Sequence, residues 1–120
     1  MNKPTAIIGA SPKPERYAYM ATSRLKKHGH SVFPIGIHEG KIEDENILID
    51  KPQLQDIHTV TLYVGPQNQA AWTDYILSLN PKRIIFNPGT ENPDFEKKAT
   101  EKGIECLEAC TLVMLSIGDY

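Results

Sequence analysis

Cysteine is scarce: Cys106 and Cys110 are the only two among 120 residues. That is too few for a secreted disulfide scaffold and fits a reducing, cytoplasmic setting. No apolar run is long enough to span a bilayer. The first ten residues lack both the apolar core of a signal peptide and the arginine-rich pattern of a transit peptide. Charge of one sign is not in excess either, since 13 Lys and Arg against 15 Asp and Glu give a net charge of −2. Nothing in that balance calls for nucleic acid or an acidic partner. The length suits one domain over residues 1–120 with one contiguous core.

Glycine is missing where a dinucleotide site would want it. "IIGASPKPERY", residues 7–17, leads two branched apolar residues into Gly9, but Ala10, Ser11, Pro12, Lys13 and Pro14 follow instead of more glycines. An acid is missing too. A nicotinamide cofactor needs one at the end of the second strand to bind the ribose hydroxyls, and the chain has Pro34, Ile35 and Gly36 there, with Glu39 the nearest carboxylate.

What the chain does have is alternation. "TAIIGA", "SVFPI", "TVTLYV", "RIIF" and "GIECL" read as five short, branched, apolar strands. Tyr17, Met20, Ala21 and Leu25 recur at helical spacing after the first, and Gly29 stands where a helix would end. Ala71, Trp72, Tyr75, Ile76 and Leu79 mark a second helix within residues 67–80, ended by Pro81. Asn92 and Pro93 cap a third, with Phe95 and Ala99 on one face and Gly103 closing it. The polar link from Gly36 to His58 carries a candidate short strand in "NILI" and Pro52, and is expected to hold only a short helix or turn. The fold class is therefore α/β, a single doubly wound parallel sheet of about five strands in a three-layer sandwich.

In such sheets ligands sit beyond the carboxyl ends of the strands. Four Gly- or Pro-rich loops fall on that edge: "GASPKPERY", "PIGIHEGK", "VGPQN" and "NPGTEN". Gly9 permits close backbone approach, Ser11 offers a hydroxyl, and Lys13 and Arg16 add charge, as a diphosphate at a helix N-terminus requires. Lys41, beyond the second strand, is a cation for an extra ribose phosphate, and Pro88 and Gly89 belong to the fourth loop.

"IIGASPKPERYAYMAT", "VTLYVGPQ", "FNPGTEN" and "IECLEACTLVML" together resemble the small stand-alone coenzyme A-binding domain proteins. These are Rossmann-like and similar to the nucleotide-binding half of the succinyl-CoA synthetase alpha subunit. The resemblance runs from Thr5 to Leu115. It implies coenzyme A or an acyl-CoA as cofactor, held at Gly9, Ala10 and Ser11, at Arg16 and Tyr17, at Pro34, Ile35 and Gly36, and at Val64, Gly65 and Pro66. The family often has Asn-Pro after the second strand and Val-Asn-Pro after the third, where this chain reads Gly36-Ile37 and Val64-Gly65-Pro66.

No residue stands out as catalytic. His28, His30, His38 and His58 have no cysteine or carboxylate cluster at metal spacing around them, and Cys106 and Cys110 lack Cys-x-x-Cys spacing. Cys106 is expected in the core and Cys110 nearer the ligand edge, while Glu91 and Glu108 are candidates for a carboxylate pair at the crevice. Three readings stay open: a coenzyme A-binding protein without evident catalytic machinery, an NAD(P)-linked oxidoreductase or redox-sensing domain, and an interaction module. A small-molecule ligand is expected, without nucleic acid or membrane, and with room for a protein partner or a homodimer.

Overall fold

The computed structural model describes residues 1–120. In chain order the elements are β1 (Thr5–Ile8), α1 (Tyr17–Lys27), β2 (Val32–Ile35), β3 (Lys41–Ile42), β4 (Glu45–Asn46), β5 (Thr59–Leu62), α2 (Ala70–Ser78), β6 (Arg83–Phe86), α3 (Pro93–Glu101), β7 (Glu105–Glu108) and α4 (Thr111–Ser116). A 3-10 turn at Pro66–Asn68 precedes α2. Five strands form one parallel sheet in the order β2-β1-β5-β6-β7, which is the α/β sheet the alternation predicts. No helix is long and apolar enough to cross a membrane.

The sheet is covered on both faces, so β1, β5 and β6 are buried along their whole length. Ala6, Ile8, Val60, Leu62, Ile84 and Phe86 pack with Trp72 and Ile76 of α2 and Phe95 and Ala99 of α3. Ile7 and Val32 pack on the opposite face with Ala18 and Leu25 of α1 and Leu115 of α4. Each large side chain so buried contributes about 1.5–3 kcal/mol. Pro34 is tolerated because β2 is an edge strand: Pro34 O and Gly36 N face outward to Leu48, so the N–H that proline lacks is not needed by β1.

Three details depart from the sequence reading. The α1 face that packs inward is Ala18, Ala21, Thr22 and Leu25, while Tyr17 is 68% exposed. The link after Gly36 contains no helix. It folds back as the β3-β4 hairpin, and Leu48 then bridges to Ile35, covering the edge of β2. A further helix, α4, follows β7 and packs beside α1. Asn92 does cap α3, its Oδ1 accepting from Phe95 N–H at 3.2 Å.

Candidate functional site

The chain order reverses between β1 and β5, and a cleft of about 620 Å³ opens there at the carboxyl ends of the strands. Its walls come from the loop after β1, the start of α1, and the loops after β5 and β6, with His38 reaching in from beyond β2.

Backbones crowd together at this point. Gly9 has φ +98°, and a Cβ on it would lie 2.9 Å from the Tyr63 carbonyl oxygen. A Cβ on Gly36 would lie 2.5 Å from the Ala10 carbonyl oxygen. The N–H groups of Gly9 and Ala10 both donate to Ile35 O at 2.9 Å. Both glycines thus serve the seam between the loops after β1, β2 and β5. The Ala10 amide is spent on that seam, although the family resemblance implies Ala10 among the residues that hold the coenzyme. Lys13 N–H, likewise, donates to Ser11 Oγ at 3.2 Å.

The donors that remain lie at the head of α1. Helix geometry leaves the N–H groups of Tyr17, Ala18 and Tyr19 without intrahelical partners. The N-cap residue Arg16 makes no side-chain cap bond, and the first turn holds no acid. Lys13 and Arg16 line the cleft beside it. The ion pairs of the chain join Lys26 to Asp44 and Glu45, so neither cleft cation is paired. The helix dipole and the two cations add at one mouth.

Of the residues singled out from sequence, Gly9, Ser11, Lys13, Arg16, Tyr17, Gly65, Pro88 and Gly89 line this cleft. Ala10, Pro34, Ile35 and Gly36 are buried beneath it. Lys41 is exposed on β3, Pro66 is exposed at the start of the 3-10 turn, and Val64 packs against the core; none of the three lines the cleft. The walls also include Pro12, His38, Tyr63 and Thr90, which sequence reasoning passed over. Pro12 holds the loop against the hairpin, where a Cβ on Gly40 would meet it at 2.7 Å. The Tyr63 hydroxyl is buried without a hydrogen-bond partner, while the Thr61 and Thr111 hydroxyls bond each other at 2.7 Å. Burial pushes the Tyr63 phenol well up from its ordinary range.

Two buried amides support these walls. Asn87 donates to Thr61 Oγ1 at 2.7 Å and Leu62 O at 2.9 Å, and accepts from Thr111 N–H at 2.9 Å, tying β5 to α4. Gln69 ties the loops after β5 and β6 in the same manner. Neither stands out in the sequence, where Gln69 follows Gln67 and Asn68 and Asn87 opens the Asn-Pro-Gly-Thr turn.

The carboxylates pair differently from the sequence reading. Glu91 accepts from Gly89 N–H at 3.0 Å. Glu108 instead neighbours Glu96, whose carboxyl is pushed up by burial first and by Glu108 second. Cys106 is half-buried against the core, and burial raises its thiol. Cys110 is half-buried as the N-cap of α4 and does not line the cleft.

The CoA binding domain family matches residues 3–116. A crystal structure of an uncharacterized protein is 50% identical, with a TM-score of 0.98 over 100% of this chain and 99% of that one. A hypothetical protein from Pyrococcus horikoshii OT3 is 28% identical, with a TM-score of 0.83 over 96% of this chain and 82% of that one. A Thermus thermophilus structure shares the fold at 22% identity, with a TM-score of 0.82 over 98% of this chain and 90% of that one. No curated protein matches. With the match spanning nearly its whole length and the cleft at the switch point of the sheet, the chain belongs to the CoA binding domain family.

Proposed function

We propose that the cleft binds coenzyme A or an acyl-CoA, with residues 1–120 acting as one binding domain. The observation that carries this reading is the head of α1: free N–H groups, no acid in the first turn, and the unpaired Lys13 and Arg16 over it. A diphosphate requires amide donors and cations together. Ser11 Oγ adds a hydroxyl on the same wall. Tyr17, which lines the cleft and is 68% exposed, offers an aromatic face against which an adenine can lie.

An NAD site finds less support. Gly36 follows directly on β2, and Glu39 does not line the cleft, so no carboxylate meets a ribose diol there. The reading is one of binding in a reducing, cytoplasmic setting, where the thiol of the coenzyme and the two unpaired cysteines of the chain persist.

Native mass spectrometry of the purified protein followed by thermal shift with CoA and with NAD tests this. A ligand at a hundredfold excess over its Kd adds about 2.7 kcal/mol to stability. CoA is expected to give the larger shift. A larger shift with NAD reverses the ranking, and none with either ligand moves the reading to a protein partner.

A further inference from the structure

We infer that Gln69 is a positioning residue for the cleft, a strut that holds the loops after β5 and β6 at a fixed separation without itself facing the ligand. Gln69 is 0% exposed, although glutamine is a surface residue in most proteins. Its Nε2 donates to Val64 O at 2.8 Å and to Thr90 O at 2.7 Å, and its Oε1 accepts from Asn92 Nδ2 at 2.9 Å. Both amide hydrogens are thereby used. Val64 precedes the cleft residue Gly65, Thr90 is itself on the wall, and Asn92 is the N-cap of α3.

One nitrogen thus stands between two carbonyls from the neighbouring loops after β5 and β6. Without it, two buried acceptors face each other with no proton between them, and the loops must part or admit water. The strut is anchored at its base, because Trp72 and Thr73 N–H groups donate to Gln69 O at 2.8 and 3.0 Å. Gln69 is therefore held as the N-cap of α2, and its side chain bridges from there. The consequence for ligand affinity rests on the coenzyme A reading. The consequence for the loops does not.

The test compares Gln69→Leu with Ile76→Ala, a core change in the same helix that touches neither loop through hydrogen bonds. Amide hydrogen exchange is followed over residues 64–69 and 89–92, with β5 and β6 as internal reference, and CoA is titrated in parallel. Gln69→Leu is expected to speed exchange in both loops by about tenfold or more, leave the strands protected, and weaken CoA by about tenfold. Ile76→Ala is expected to leave loop exchange, relative to the strands, and CoA affinity within about twofold of the parent. Asn92→Ser keeps a helix cap but removes one strut bond, and it gives an intermediate effect even where Gln69→Leu fails to fold. Loosening of one loop alone, of neither, or equally in Ile76→Ala overturns the strut. A parent that binds no CoA overturns the proposed function, while the exchange result still decides Gln69.

Discussion

At the amino ends of the strands Arg83 and Lys3 are consumed by contacts within the chain, whereas at the carboxyl ends Lys13 and Arg16 have no such partners. Arg83, only 7% exposed, donates through Nε to Thr59 Oγ1 at 2.8 Å and through a terminal nitrogen to Tyr120 O at 3.0 Å. Its guanidinium also lies 4.4 Å from the Tyr120 ring centroid. Lys3 Nζ donates to the same oxygen at 2.5 Å, and Lys3 N–H donates to His30 Nδ1 at 2.9 Å. The cations of the cleft stand over a helix head that has donors to spare. The difference teaches that a cation's role is read from its partners: the amino edge uses charge to join chain segments, and the carboxyl edge leaves its cations unpaired at the cleft.

The largest effect is expected at the seam rather than at either set of cations. Gly9→Val puts a branched side chain at φ +98° with its Cβ 2.9 Å from Tyr63 O. It should cost about 3 kcal/mol in urea unfolding and abolish CoA binding; a fully stable variant would show that the loops are not in contact. Next comes Arg83→Ala, which strips charge-assisted hydrogen bonds worth about 1.5–3 kcal/mol each. Stability should fall by about that much while CoA affinity in the folded protein stays within about twofold. A variant that lost affinity as well would erase the distinction between the two edges.

Arg16→Ala inverts the pattern. Stability should stay within about 0.5 kcal/mol, and CoA should bind about tenfold more weakly, about 1.4 kcal/mol, with less sensitivity to salt. Lys13→Ala should lose less, about threefold, because a flexible ammonium near the loop tip is well solvated. Equal and negligible losses would make both cations surface decoration.

The smallest effect is on pH. Burial first, then Lys3 and other neighbouring cations, lower the pKa of His30 below 6.5; burial, then Arg83, Lys3 and Lys82, lower that of His58. The unfolded state therefore takes up more protons below its own pKa, so this stability is complete above about pH 6.5. It is lost as pH falls through the folded values. His30→Gln and His58→Gln should each flatten the decline in Tm between about pH 6.5 and 5. A decline as steep in both variants would place the acid sensitivity elsewhere.

The five strands were legible because each is a short branched run between turn residues, and the third helix because Asn92-Pro93 and Gly103 mark its ends. On α1 the reading of Ala21 and Leu25 holds, but Ala18 and Thr22 take the inward places read for Tyr17 and Met20, and Tyr17 lines the cleft wall. Helix α4 was missed since Leu112 to Leu115 form an unbroken apolar run, which carries no 3.6-residue contrast. The hairpin hid in a polar link, where Ile42 and Ile47 pack against Ala10 from far away in sequence. Of the site, Gly9, Lys13, Arg16, Gly65 and Gly89 could be read, because their chemistry is local, whereas Lys41 lies outside the cleft. Gln69 and Asn87 could not, because their partners are groups on other loops and elements.

Titration of CoA into Arg16→Ala and Lys3→Ala, beside the parent and at the same low salt, tests the division between the two edges most directly. Each variant removes one cation, one from either end of the sheet. The structure predicts a loss of about tenfold for Arg16→Ala and a change within about twofold for Lys3→Ala. Equal losses in the two variants, or a greater one for Lys3→Ala, would contradict it.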